Sequence, residues 1–131
     1  MSITISEEIR KNFHLFWDNY PAPVMLVHKD RTIIDVNTAA LEIGLPVGMR
    51  CVDFGQKKDH AACKANKALQ EGKGMRTVTE YLGQVVDGYW VPLAGSGDLF
   101  VHFNNDITPY AAEHLIPKKC GGAESGSCSG E

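Results

Sequence analysis

Along the first twenty residues apolar side chains return every three or four positions, at Ile9, Phe13, Phe16, Trp17 and Tyr20. That period predicts an amphipathic helix. Thr4 or Ser6 can cap it, with Glu7 in capping-box spacing from Thr4, and Pro21-Ala-Pro23 stops it. The stripe offers two destinations: the protein's own core, or a dimer interface built from Ile9, Phe13, Phe16 and Trp17. The pattern then shortens to strand length at residues 24–28 and 32–36, joined with hairpin spacing by Lys29-Asp30-Arg31. A short helix is predicted from residue 37 or 38 through 43, ending at Gly44. Pro46, Gly48 and Gly55 punctuate an irregular stretch around Cys51-Val-Asp-Phe54. Asp59 reads as the N-cap of a longer helix over 60–71, ended by Gly72 and Gly74. Its apolar side, Ala62, Ala65 and Leu69, is built mostly from small residues, so this helix can lie close to what it covers. From Met75 the helical period disappears, and strands are predicted at 76–82, 84–93 and 99–105, the last two joined by Ala94-Gly-Ser-Gly-Asp98. A helical turn at 111–116 precedes a Gly/Ser-rich tail, expected to be mobile. The organisation is therefore a helix over 1–19, a domain over 20–110 and a tail over 111–131.

Helix, two strands, small helices, a longer helix and three strands describe an α+β domain: an antiparallel sheet with helices packed on one face. At 131 residues, with 44% hydrophobic and 22% charged, the chain has one domain's worth of globular sequence. A domain of this size buries about two-thirds of its unfolded surface and needs no metal or disulfide to fold. Thirteen Lys and Arg against sixteen Asp and Glu give a net charge of −3, without the basic footprint of a nucleic-acid or anionic-membrane partner. No stretch approaches the roughly 20 apolar residues of a membrane span. The N-terminal residues show no signal-peptide pattern, so a cytoplasmic location is expected. In that setting Cys51, Cys63, Cys120 and Cys128 are expected as thiols, metal ligands or redox groups in place of structural disulfides.

Several segments, taken in order, resemble a PAS domain. Tyr20-Pro-Ala-Pro-Val-Met-Leu-Val and Asp35-Val-Asn-Thr-Ala-Ala-Leu41 resemble that family's first hairpin and the helix after it. Val47-Gly-Met-Arg-Cys51 resembles the entry into its middle helices; Val86-Asp-Gly-Tyr-Trp-Val-Pro92 and Asn105-Asp-Ile-Thr108 resemble its last strands and their exit. The resemblance covers about residues 18–109. It implies a five-stranded antiparallel sheet cupping a small cavity, with sensing or partner docking as the role and no turnover. Pro109 follows the exit motif at once, so the signal is expected to leave through an effector protein or through dimerisation.

For the cup, the sequence suggests a largely apolar ligand site walled by Phe54, Ala62, Ala65, Leu69, Tyr81, Trp90 and Phe103, with Asn37 as a polar group. A second reading is a metal or redox centre at Cys51, His60 and Cys63, completed from the tail by Cys120 or Cys128. His60 and Cys63 would share one face of a helix near its N-terminus, where imidazole and thiolate suit zinc or iron. Some bacterial PAS domains carry a cysteine here followed by C-P-x-C; in this chain His60 takes the place of the first motif cysteine and no proline follows. The ordinary alternative is a buried Cys51 and a helix-capping His60. Haem would need His60 or His102 as axial ligand. Gly48-Met-Arg-Cys-Val-Asp-Phe54 only faintly resembles the flavin signature of light-sensing PAS domains, without the residues that hold isoalloxazine. No G-x-S-x-G, H-E-x-x-H or phosphate-cradling loop points to an enzyme.

Overall fold

A computed structural model of the chain describes residues 5–51, 63–81 and 83–110. Helix α1 (Glu7–Trp17) is capped by Ser6, whose hydroxyl accepts from the backbone N–H groups of Glu8 and Ile9. Strands β1 (Val24–His28) and β2 (Ile33–Val36) follow, then the short helix α2 (Thr38–Glu42) and helix α3 (Ala65–Glu71). Strands β3 (Met75–Tyr81), β4 (Gln84–Pro92) and β5 (Leu99–Asp106) complete the sheet, and a 3₁₀ turn closes at Thr108–Tyr110. All pairings are antiparallel, in the order β2-β1-β5-β4-β3, so the first and last strands are central neighbours.

Paired residues of neighbouring strands share a face, and the register therefore assigns every strand residue. Val24, Leu26, Leu99, Val101 and Phe103 face α1; Met25, Val27, Phe100, His102 and Trp90 face α3. Between Leu26 and Val27 the β1–β2 register slips, and Ile34 is the extra residue. The slip lets Ile34 join the α1 core while Ile33 and Val36 pack with Ala40 on the other side. On the α1 face the core is Phe13, Val24, Leu26, Ile34, Leu99 and Val101, with Ile9, Trp17 and Tyr20 packed against it. Three of the four dimer candidates, Ile9, Phe13 and Trp17, are thus spent on the protein's own core. Phe16 is 76% exposed, beside Leu15 at 73%.

The sheet's β2 edge is closed by local chain. Gly48 N–H donates to Ile33 O, Ile33 N–H to Met49 O and Cys51 N–H to Arg31 O.

Two helix boundaries differ from expectation. Helix α1 ends at Trp17, three residues before Tyr20, with Asp18 as C-cap. Helix α3 begins at Ala65: Lys64 precedes it at φ −108°, ψ 16° without a side-chain cap, and Gly72 at φ +66° ends it. Cys63 is therefore outside α3. Asp59, His60, Phe54, Ala62, Cys120 and the tail lie outside the described residues.

Candidate functional site

The face under α2 and α3 carries a close helix–sheet contact and one stacked aromatic pair. Ala65 and Ala68, both fully buried, bring α3 close over Val27, Trp90 and Phe100. Leu69, Met75, Met25 and Cys51 pack around this cluster. The small residues thus let the helix lie close on the sheet.

Beside them the His102 ring stacks on the Trp90 indole, with centroids 4.8 Å apart and planes 15° from parallel. His102 Nδ1 lies 2.9 Å from the Tyr89 carbonyl oxygen. A carbonyl only accepts, so Nδ1 carries the hydrogen and the ring orientation is fixed. Two residue pairs along, Gly88 faces Asn104. A Cβ at Gly88 would meet the Asn104 Oδ1 at 2.5 Å and the Trp90 ring at 3.6 Å, so glycine is what lets the amide lie across β4. Trp90 itself is buried, so His102 and the Asn104 amide are the more exposed groups of this cluster.

Asn37, expected as a ligand contact, has a different occupation. It is fully buried, and its Oδ1 accepts from Val24 N (2.9 Å) and Ala40 N (3.1 Å). Its Nδ2 donates to Trp17 O (2.9 Å) and Ala22 O (3.0 Å). The side chain caps α2 and ties the end of α1 to the start of β1, which uses its hydrogen-bonding capacity in full. Phe103 is a second correction: it lies on the α1 face, ringed by Trp17, Tyr20 and Tyr89 at 5.1–5.4 Å. Ala65, Leu69 and Trp90 do come together. Tyr81 is the last residue of β3, paired with Gln84.

Cys51 is half-buried and Cys63 exposed. Burial, then the nearby Cys63, push the Cys51 thiol above its ordinary pKa, while Arg31 and Arg50 pull it down. Among the described residues no group of three or more His, Cys, Asp and Glu is placed to hold a metal ion.

Near these thiols the chain makes a feature that the sequence did not suggest. Arg31 has φ +79°, rare for a residue with a side chain. Its guanidinium lies 5.7 Å over the Phe100 ring and donates to Lys29 O and Asn66 Oδ1. Together with Arg50, Lys29 and Asp30 it borders an open depression of about 580 Å³. The missing signal is conformational, since Lys29-Asp30-Arg31 lacks the glycine that normally marks a positive φ.

No family model matches the sequence, and no curated protein matches it. Solved structures do match the fold. The PAS domain of BvgS from Bordetella pertussis is 15% identical with a TM-score of 0.61, over 78% of this chain and 88% of that one. A sensory box sensor histidine kinase from Vibrio cholerae is 14% identical at a TM-score of 0.57, over 76% and 89%. A domain of an HTR-like protein from Haloarcula marismortui is 20% identical at 0.55, over 67% and 99%. The fold is that of a PAS domain.

Proposed function

We propose that this PAS-fold chain is a sensory and signal-transduction module that takes a small ligand on the α3 face of its sheet. The observation that carries this reading is the Trp90–His102 stack with the Asn104 amide laid across Gly88. The half-buried His102 ring, backed by the buried Trp90 indole and bordered by the exposed Asn104 amide, suits a small planar molecule with a polar edge. No residue is assigned a catalytic role. Signal output is assigned to a second copy or a partner protein at the exposed Leu15 and Phe16 of α1, the part of the expected dimer stripe that the core leaves unused. No helix among the described residues is long and apolar enough to cross a membrane.

A set of small planar aromatic acids and amides, titrated into the ¹⁵N-labelled chain, tests the ligand site. Binders are expected to shift the Trp90 indole N–H resonance and leave that of Trp17 in place. Asn104→Ala and Gly88→Ala, which pushes the amide aside, are expected to weaken them at least about tenfold, the loss of roughly one good hydrogen bond. A set that leaves Trp90 unperturbed, or affinities indifferent to both substitutions, overturns the assignment.

A further inference from the structure

His14 lies in the second half of α1 with a carboxylate against each ring nitrogen. Nδ1 is 2.7 Å from Asp18 Oδ1, one helical turn on, and Nε2 is 2.9 Å from Asp35 Oδ2 on β2. An ionised carboxylate only accepts hydrogen bonds, and a neutral imidazole has one N–H to give. Both contacts are therefore hydrogen bonds only while the ring is an imidazolium. Removing the proton turns one of them into lone pair against lone pair at less than 3 Å. The two nitrogens point to different carboxylates, so the three side chains do not converge on one metal ion. The ligand this arrangement fits is the proton.

Among the described residues, the charged groups facing His14 are Asp18 and Arg10 from α1 and Asp35 from β2. Arg10 Nη1 lies 3.3 Å from the same Asp35 oxygen and donates to Ile34 O at 3.1 Å. The Phe13 ring, buried in the core, meets the imidazole edge-on at 5.3 Å. Asp35 is thus shared between a permanent cation and a conditional one.

We propose that His14 is a proton-operated latch: charged, it ties α1 to β2, and neutral, it lets the second half of α1 loosen from the sheet. The bond to Asp18 first, then the bond and charge of Asp35, raise its pKa above the ordinary 6.5 against an opposing desolvation. A raised pKa in the docked state means that the contribution is fully present below about pH 6.5 and is lost as pH rises through the raised value. The transition therefore falls on the neutral to alkaline side of 6.5. Arg10 keeps a hold on Asp35 throughout, so the latch grades the attachment of α1 and does not abolish it. This inference stands on the opposite face from the ligand site and does not depend on it.

The test uses the full chain. Histidine titration by NMR is expected to place the His14 midpoint above 6.5. Site-resolved hydrogen exchange in α1, corrected for intrinsic rate, should lose protection between pH 6 and pH 8.5 by up to about tenfold for each unit that the midpoint exceeds 6.5, the part of the shift due to Asp18 being internal to the helix end. His14→Gln should flatten this pH profile, and Asp35→Asn should flatten it and lower the His14 midpoint. A purely structural histidine would instead lower protection equally at both pH values when replaced. A midpoint at or below 6.5, or a pH-dependent loss that persists undiminished in His14→Gln, overturns the latch.

Discussion

The two faces of the sheet are built on different terms. Against one lies an eleven-residue helix that inserts Phe13 among Val24, Leu26, Ile34 and Val101 and adds two polar ties to Asp35. Against the other lie helices of five and seven residues that present mainly alanines, Ala40, Ala65 and Ala68. Large interlocking side chains give the first face depth and a fixed position. Small ones give the second proximity, at little energy per residue, with Cys51 packed beside both helices' clusters.

The sharpest way to break this contrast is Phe13→Ala. It removes a buried ring from the tightly packed face and is expected to cost about 3–5 kcal/mol in urea unfolding. A cost below about 1 kcal/mol would mean that α1 is a passenger. Next comes Asn37→Ala, which strips the joint between the two faces. Four backbone groups, those of Trp17, Ala22, Val24 and Ala40, lose their partner, and a loss of about 3 kcal/mol is expected from chemical denaturation. On the α3 face the informative change adds volume: Ala68→Leu forces the helix off Val27 and Phe100 and should cost roughly 1–3 kcal/mol by calorimetry. If it stabilises the protein, the alanines leave real space. The smallest effect is expected at Phe16→Ser, on the solvent side of α1, within about 0.5 kcal/mol of neutral. Within the α3 face, iodoacetamide mapping at pH 8 should label exposed Cys63 well before Cys51, whose burial disfavours the thiolate.

Much of this was legible in the residues. The α1 stripe, five strands at the expected places, the Asn37 cap position and the hairpin connections all follow from period and turn chemistry. What failed did so for definable reasons. Strand β5 begins Leu-Phe-Val, buried on both faces, and a strand covered twice loses the alternation that would place Phe103. Its pairing with Val24 and its ring contact with Trp17, both long-range, assign it to the α1 face. The start of α3 was misplaced because Asp59 looks like a cap, whereas Lys64, which holds that position, makes no side-chain cap bond. The spacing of His14 and Asp18 is readable on any helix, but Asp35 joins them only once β2 has been laid beside the helix. Asn37 was noticed as a helix start and as a polar group of the cup; its burial and its partners, scattered from Trp17 to Ala40, exist only in the finished fold.

The adjacency of β1 and β5 sets a timetable. Every residue of β1 has a partner in β5, and Val24 must find Phe103 across almost the whole domain. Closing a loop of about 80 residues costs roughly 4 kcal/mol of chain entropy before any contact returns it. On the ribosome, the β1–β2 hairpin and α1 emerge early yet lack the surface they are built to cover, because Leu99 and Val101 complete it. Until β5 has left the exit tunnel, Phe13, Trp17, Leu26 and Ile34 stay open to solvent and to other chains. The unfinished chain therefore exposes apolar surface until its last strand arrives, a consequence of pairing the first strand with the last.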